Sequence, residues 1–223
     1  AIRDGRAHVQ DEGSQLVALA LAEARIDGPD EAWLDLCAGP GGKAALLGAL
    51  AATRGAYLTA VEVAPHRADL VRLATHGLPV TVVTEDGRNV GGSDIPEGGF
   101  DRVLVDAPCT GLGALRRRPE SRWRRQPGDL PPLTRLQREL LGAALRAVRP
   151  GGMVAYVTCS PHIVETHVTV TETLRRSPLS VEPVDAREYL PGVPRLGSGP
   201  AVQLWPHRHG TDAMFLALLR RTA

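Results

Sequence analysis

Trp33-Leu34-Asp35-Leu36-Cys37-Ala38-Gly39-Pro40-Gly41-Gly42-Lys43 is the stretch on which the fold turns. Trp33 to Cys37 has buried-strand character and runs straight into a glycine-rich turn. The turn opens into Gly42 to Ala52, rich in alanine and leucine and so predicted helical. The same alternation recurs downstream. Tyr57 to Val63 reads as a strand, and Pro65, at a first helical turn, opens a helix towards His76. Pro79 to Val83 and Phe100 to Asp106 read as strands, the latter around Val103-Leu104-Val105. Leu133 to Val148 reads as a helix stopped by Pro150-Gly151-Gly152. Met153 to Thr158 is a fifth strand and Val164 to Arg175 a further helix. Ser180 to Val184 and Met214 to Leu219 add strands, and Ala201 to Trp205, between Pro200 and Pro206, a short edge strand. Upstream, Leu16, Leu19, Ala20 and Leu21 place a helix over Gln15 to Arg25, behind Asp11-Glu12-Gly13-Ser14.

Near-continuous apolar strands separated by helices indicate an α/β protein whose parallel sheet is covered on both faces. The 223 residues suit one large domain, or one domain plus an appendage. Apolar content of 43% and charged content of 23% exclude wholesale disorder. No apolar run approaches the ~20 residues of a membrane span. No basic-then-apolar leader is visible, and three scattered cysteines make no disulfide framework, so a reducing cytoplasm is expected. No Cys/His spacing proposes a metal. The chain opens mid-pattern on Ala1 and reads as a fragment, with a lead-in helix over residues 1–31 and one domain over 32–223.

In a doubly wound sheet, ligands sit at the carboxyl ends of the strands. After the first strand, glycines of the turn Cys37 to Lys43 let backbone approach a ligand at a helix N-terminus. That spacing is neither a P-loop nor a dinucleotide fingerprint. After the second comes Glu62, suited to both hydroxyls of a ribose, or simply an acid at a helix start. Glycine turn and acid together point to an adenosine-containing cofactor, and Asp86 extends the row towards an adenine amino group. After the fourth and fifth strands come Asp106-Ala107-Pro108-Cys109 and Thr158-Cys159-Ser160-Pro161. A free cysteine is usually a small buried hydrophobe, yet two at neighbouring strand tips, one beside an aspartate, also suit nucleophilic chemistry. Lys43 and an arginine segment could supply the field that lowers a thiol pKa. Arg116 to Arg125 holds six arginines and one glutamate, in a chain of net charge +1. It is either a solvated loop or a local polyanion contact.

Asp35 to Lys43, Asp106-Ala107-Pro108-Cys109-Thr110-Gly111 and Tyr156-Val157-Thr158-Cys159-Ser160 together resemble the Nop/Sun family of RNA cytosine-5 methyltransferases. The resemblance extends over essentially the whole chain, from Val9-Gln10-Asp11 through Arg117-Arg118-Pro119-Glu120, Trp123 and Leu136-Gln137. It implies a Rossmann-like class I methyltransferase: a doubly wound, mostly parallel seven-stranded sheet with an antiparallel C-terminal strand. It implies S-adenosyl-L-methionine as cofactor and RNA, foremost small-subunit (16S) rRNA, as partner. It further implies an N-terminal RNA-binding domain beyond this fragment. By that resemblance Cys159 is the nucleophile, Cys109 assists product release, Asp106 hydrogen-bonds the base and Lys43 lines the pocket. Cys37, Ala38, Gly39, Pro40, Gly41, Gly42, Lys43, Glu62, Arg67, Asp86 and Asp106 match cofactor-binding positions. RNA is expected on Arg116, Arg117, Arg118, Arg122, Arg124 and Arg125, with Trp123 as a stacking platform.

Two departures stand out. Of the two glutamates and asparagine usual after Thr-Cys-Ser, only Glu165 remains, and Asp212-Ala213-Met214-Phe215 replaces Asp-Gly-Phe-Phe. The competing readings are a non-catalytic RNA-binding relative, a tRNA cytosine-5 enzyme, or a methyltransferase for an amine or DNA, which needs no thiol at the fifth strand tip.

Overall fold

A computed structural model describes residue 7 and residues 9–223, so the start of the expected 1–31 lead-in lies outside the described residues. Chain order is α1 (Glu12–Glu23), β1 (Ala32–Asp35), α2 (Gly42–Arg54), β2 (Tyr57–Val61), α3 (Pro65–Ala74), β3 (Val80–Val83) and β4 (Phe100–Asp106). There follow α4 (Ser121–Arg124), α5 (Leu130–Ala147), β5 (Val148–Thr158), α6 (Thr169–Arg176), β6 (Val181–Val184), β7 (Val202–Gln203), α7 (Pro206–His209) and β8 (Phe215–Arg221). The sheet order is β3-β2-β1-β4-β5-β8-β6, with β7 also on β8. Strands β1 to β5 are parallel, and β8 runs antiparallel to β5 and to β6.

This is the expected doubly wound sheet, with eight strands instead of seven. The addition is the two-residue β7, which shares the outer edge of β8 with β6. One apolar core lies under α1 and α2 (Val17, Leu21, Ala44, Leu47) and the other under α5 (Leu140, Leu141, Leu145). Both faces of the central strands are therefore dry, as their continuous apolar runs require.

Three boundaries moved for physical reasons. The glycines expected to stop a helix lie inside β5, which starts at Val148. Its register against β4 shifts between Phe100 and Arg102. Gly151 takes φ +80° there, and a side chain on Gly152 would meet the Asp101 carbonyl at 2.7 Å. The helix expected over Val164 to Arg175 opens with a π-helical turn at Val164–Val168. Thr169 Oγ1 donates to the Val164 carbonyl there at 2.7 Å. Strand β1 ends at Asp35 rather than Cys37, because Leu36 already belongs to the turn.

Two charged residues sit inside the apolar-looking β4. Asp101 accepts from the Glu31 and Ala32 amides and from Arg149 Nε. Buried Arg102 donates to the Leu21 and Ala24 carbonyls at the end of α1, at 2.6 and 2.7 Å, and clamps both Asp30 oxygens at 2.7 and 2.8 Å. Burial pushes the Asp30 carboxyl up, but the Arg102 guanidinium outweighs it and holds Asp30 below its ordinary range. The Trp33 ring lies 5.4 Å from the same guanidinium. Arg102 thus ties α1 to the middle of the sheet. Among the described residues no helix is long and apolar enough to cross a membrane.

Replacing Arg102 with Ala removes two hydrogen bonds from Asp30, which keeps Trp33 Nε1, and one from each of two helix-end carbonyls. We expect a loss of ~3 kcal/mol, the lower end for breaking a buried pair because Asp30 keeps some solvent. Urea denaturation should show a lower midpoint with an unchanged slope. The Asp30 carboxyl is depressed on folding, so its contribution is present above the unfolded carboxylate pKa and fades as pH falls through the folded one. The deficit of the variant should accordingly shrink towards acid pH.

Candidate active site

Because β1, β4 and β5 are parallel neighbours, their carboxyl ends deliver three turns to one rim. The turn after β1 is tied to the β2 tip. Gly39 N–H donates to Glu62 Oε2 at 3.1 Å, Ala64 N–H to Glu62 Oε1 at 3.0 Å, and Arg67 Nη2 to the Gly39 carbonyl at 2.7 Å. A side chain on Gly39 would stand 2.2 Å from the Glu62 carboxylate, so glycine is what permits the approach. Gly41, at φ +109°, starts α2 in a left-handed conformation.

Lys43, one residue into α2, reaches across to Asp106 at the β4 tip, 2.7 Å from Nζ to Oδ2. Burial works against its charge, but Asp106 more than compensates, and Lys43 stays an ammonium. Cys109 and Cys159 meet with their sulfurs 3.3 Å apart. Hydrogen bonding between them splits their acidities. The Cys159 thiol is lowered, first by its contact with Cys109, despite burial and the Asp106 charge, with Lys43 assisting. Cys109 is pushed far up, first by that same bond, then by burial and by the charges of Cys159 and Glu165. Cys159 is therefore the better nucleophile and Cys109 the proton-bearing partner. Cys37 is pushed up by burial and by Asp35, which leaves it an inert thiol.

The loop after β4 lies flat against the β5 tip because of Gly113. Its N–H donates to the Cys159 carbonyl at 2.9 Å, and a side chain there would meet the Ala213 carbonyl at 2.3 Å.

Two cavities open on this rim. One, of about 580 Å³, is bordered by Asp35, Lys43, Arg118 and Asp212; the other, of about 500 Å³, by Glu62, Asp86 and Cys109. They share Gly39, Arg67, Asp106 and Cys159, so they meet at the reactive thiol. The residues fit S-adenosylmethionine. The buried Glu62 carboxylate lines the second cavity, an acceptor of the kind a ribose hydroxyl needs. Asp35 Oδ2 is buried without a partner beside the first, where a ligand ammonium or N–H would satisfy it. Burial, then the Asp106 charge, pushes the Asp35 carboxyl up to about 7. Asp86 lies on this wall as expected, but Arg88 takes both its oxygens, Nη2 to Oδ2 at 2.6 Å.

The arginine segment divides. Arg116 pairs with Asp11 and with Asp212 Oδ1 at 2.9 Å, and Arg117 lays its guanidinium on Asp212. The expected pair of RNA contacts thus serves first to neutralise two buried carboxylates. Arg125 donates to the Thr110 and Cys109 carbonyls at 3.2 and 3.3 Å, bracing the cysteine loop. Arg118, Arg122 and Arg124 face solvent, and Trp123 is 76% exposed with Arg122 over its ring. Asp11 and Asp212 as anchors were not foreseen. Their only signal was that each lies within a family motif, since the partners are about a hundred residues or more away. Among the described residues no group of three or more Cys, His, Asp or Glu side chains could hold a metal.

The family described as "16S rRNA methyltransferase RsmB/F" matches residues 24–220. A Mycobacterium tuberculosis protein named as a methyltransferase, Rv1407, is 62% identical over 221 residues, covering 99% of this chain and 47% of its own length. The ribosomal RNA small subunit methyltransferase B of Vibrio cholerae is 34% identical, over 98% of this chain and 47% of its own. The chain thus spans about half the length of the curated relatives it matches. The crystal structure of PH0851 superposes with a TM-score of 0.86 at 32% identity, over 98% of this chain and 48% of that one. That of NSun6 from Pyrococcus horikoshii, solved with the S-adenosylmethionine analogue SFG, gives 0.80 at 26% identity, over all of this chain and 55% of that one. With the match running through all three strand-tip turns and the cleft between them, the chain belongs to the RsmB/F family of S-adenosylmethionine-dependent methyltransferases.

Proposed function

We propose that this chain methylates carbon 5 of a cytosine in RNA, specifically small-subunit ribosomal RNA in the cytoplasm, through a covalent adduct on Cys159. The observation that carries this reading is the pair of sulfurs 3.3 Å apart, set beside the Lys43–Asp106 ion pair where the two cavities meet. A methyltransferase acting on an amine has no use for such a pair.

Cytosine carbon 5 is a weak nucleophile. Attack of the Cys159 thiolate on carbon 6 makes carbon 5 enamine-like, and S-adenosylmethionine supplies the methyl group it takes. Asp106, ion-paired with Lys43 at 2.7 Å, hydrogen-bonds the base and favours its protonated, more electrophilic form. The carbon 5 proton must then leave so that the thiolate can be expelled. Here the cysteine pair gains a second use. Once Cys159 sulfur is bonded to carbon, the interaction that most strongly held the Cys109 proton is gone. Cys109 can then release its proton to solvent and take the one from carbon 5, acting as a base only after the adduct exists. The target base must be unstacked to enter; Arg118 lines the cleft, and the exposed Trp123 with Arg122 and Arg124 follows it in the chain to hold the displaced strand.

RNA carrying 5-fluorocytosine at the target should remain covalently attached to the wild-type chain in the presence of S-adenosylmethionine, visible on a denaturing gel. Cys159→Ala should form no adduct while binding cofactor within about twofold of wild type by calorimetry. An adduct that survives in Cys159→Ala would sink the proposal. Cys109→Ala should accumulate adduct even on ordinary cytosine, with turnover down by roughly 10²-fold or more, the usual size of a lost general base. Arg118→Ala with Arg122→Ala should weaken RNA binding and flatten its salt dependence by about two counterions. Arg116→Ala should chiefly lower stability, because it uncovers Asp11 and leaves Asp212 to Arg117 alone.

A further inference from the structure

Glu165 is completely buried in the segment between β5 and α6, and the chemistry proposed for the thiols does not use it. Its carboxylate accepts four hydrogen bonds. Thr110 N–H donates to Oε1 at 2.8 Å and Thr110 Oγ1 to Oε2 at 2.5 Å. Ser160 Oγ donates to Oε2 at 2.6 Å, and Gln137 Nε2 to Oε1 at 3.0 Å. Thr110 directly follows Cys109, and Ser160 directly follows Cys159. Gln137 also donates to the carbonyl of Pro108, the residue before Cys109, at 2.8 Å. The Glu165 carbonyl in turn accepts from Tyr156 Oη within β5 at 2.8 Å. One carboxylate therefore clamps both cysteine loops and the helix behind them, and all four donors are neutral.

We propose that Glu165 is a positioning residue that decides which of the two thiols is the nucleophile. It fixes the sulfur separation through Thr110 and Ser160, and two of its four hydrogen bonds fall on Thr110, the residue after Cys109, against one on Ser160. A buried anion beside a thiol disfavours the thiolate, so Cys109 keeps its proton and Cys159 becomes the ionised member. The other charged or titratable groups are unequally shared. Lys43, Asp106, Asp212 and Arg117 act on Cys159, whereas Tyr156 and Arg125 border Cys109. After the Cys159 contact, burial and the Cys159 charge, Glu165 is the remaining charge that raises Cys109, and it is not among the influences on Cys159. The π-helical turn at Val164–Val168 fits this role, because it carries Glu165 where the chain is wound wider than in an α-helix.

The catalytic role of the pair rests on the proposed function, but the division between the thiols can be read without RNA or cofactor. Each cysteine is alkylated with iodoacetamide across pH 5 to 10, and its labelled peptide is quantified by mass spectrometry. In the wild-type chain, Cys159 should label at lower pH than Cys109. Glu165→Gln keeps the shape and removes the charge. Its Cys109 midpoint should move down while that of Cys159 stays in place, narrowing the preference for Cys159 at pH 7 by roughly tenfold or more. Glu165→Asp keeps the charge on a shorter arm and should retain most of the wild-type Cys109 midpoint. A thermal melt with cofactor binding checks that each variant is folded. Folded Glu165→Gln with both midpoints unmoved would overturn the proposal, whatever its activity. The predicted change in labelling together with no wild-type adduct on 5-fluorocytosine RNA would instead leave Glu165 its role and count against the cytosine-5 reading.

Discussion

Parallel pairing of β4 with β5, Asp106 opposite Val157, is the constraint on which the site depends. Both chains leave the sheet at the same height, so the residues just beyond are thrown together. Cys109 lies three residues past Asp106, and Cys159 two past Val157. A slip of one residue would turn one thiol to the other face of the sheet. Several buried features protect this register. Arg102 and Asp101 pin the lower half of β4, Gly113 lets the following loop press on the β5 tip, and Glu165 ties the two loops.

The rim is built from charge as much as from shape. Asp35, Glu62 and Asp106 converge on one end of the sheet, opposed by Lys43 and Arg67. Burial, and after it the Asp106 charge, pushes Asp35 up, and one of its oxygens is buried without a partner. A protein rarely leaves a buried carboxylate oxygen unmatched, and a cationic ligand at that wall resolves the mismatch. Lys43 joins the two halves, since it both neutralises Asp106 and favours the Cys159 thiolate. The arginine segment is divided between support and display. Arg116, Arg117 and Arg125 spend hydrogen bonds on the fold while staying solvent-exposed, and Arg118, Arg122 and Arg124 with Trp123 are turned to solvent.

Much of this was legible in the linear chain. Strand–turn–helix alternation specifies a parallel α/β sheet, because only strands buried on both faces can be apolar throughout. The glycine turn, Glu62, Asp86 and the two cysteines all follow strands, and the strand-tip rule places them on one rim without coordinates. Local rules erred where distant contacts override them. Pro150-Gly151-Gly152 does follow the end of α5 at Ala147 as a helix stop should, but the fifth strand begins already at Val148, paired with Phe100 of β4, rather than at Met153.

What the sequence determined by itself was the class of fold and the identity of the reactive groups, both of which live in periodicity and in short motifs. The tertiary structure alone decided their division of labour. The separation of the two sulfurs, the preference of the proton for Cys109, the capture of Arg116 and Arg117 by Asp11 and Asp212, and the clamp made by Glu165 all join residues far apart in the chain. Electrostatic and hydrogen-bond energies depend on distance and burial, and neither quantity exists until the chain has folded.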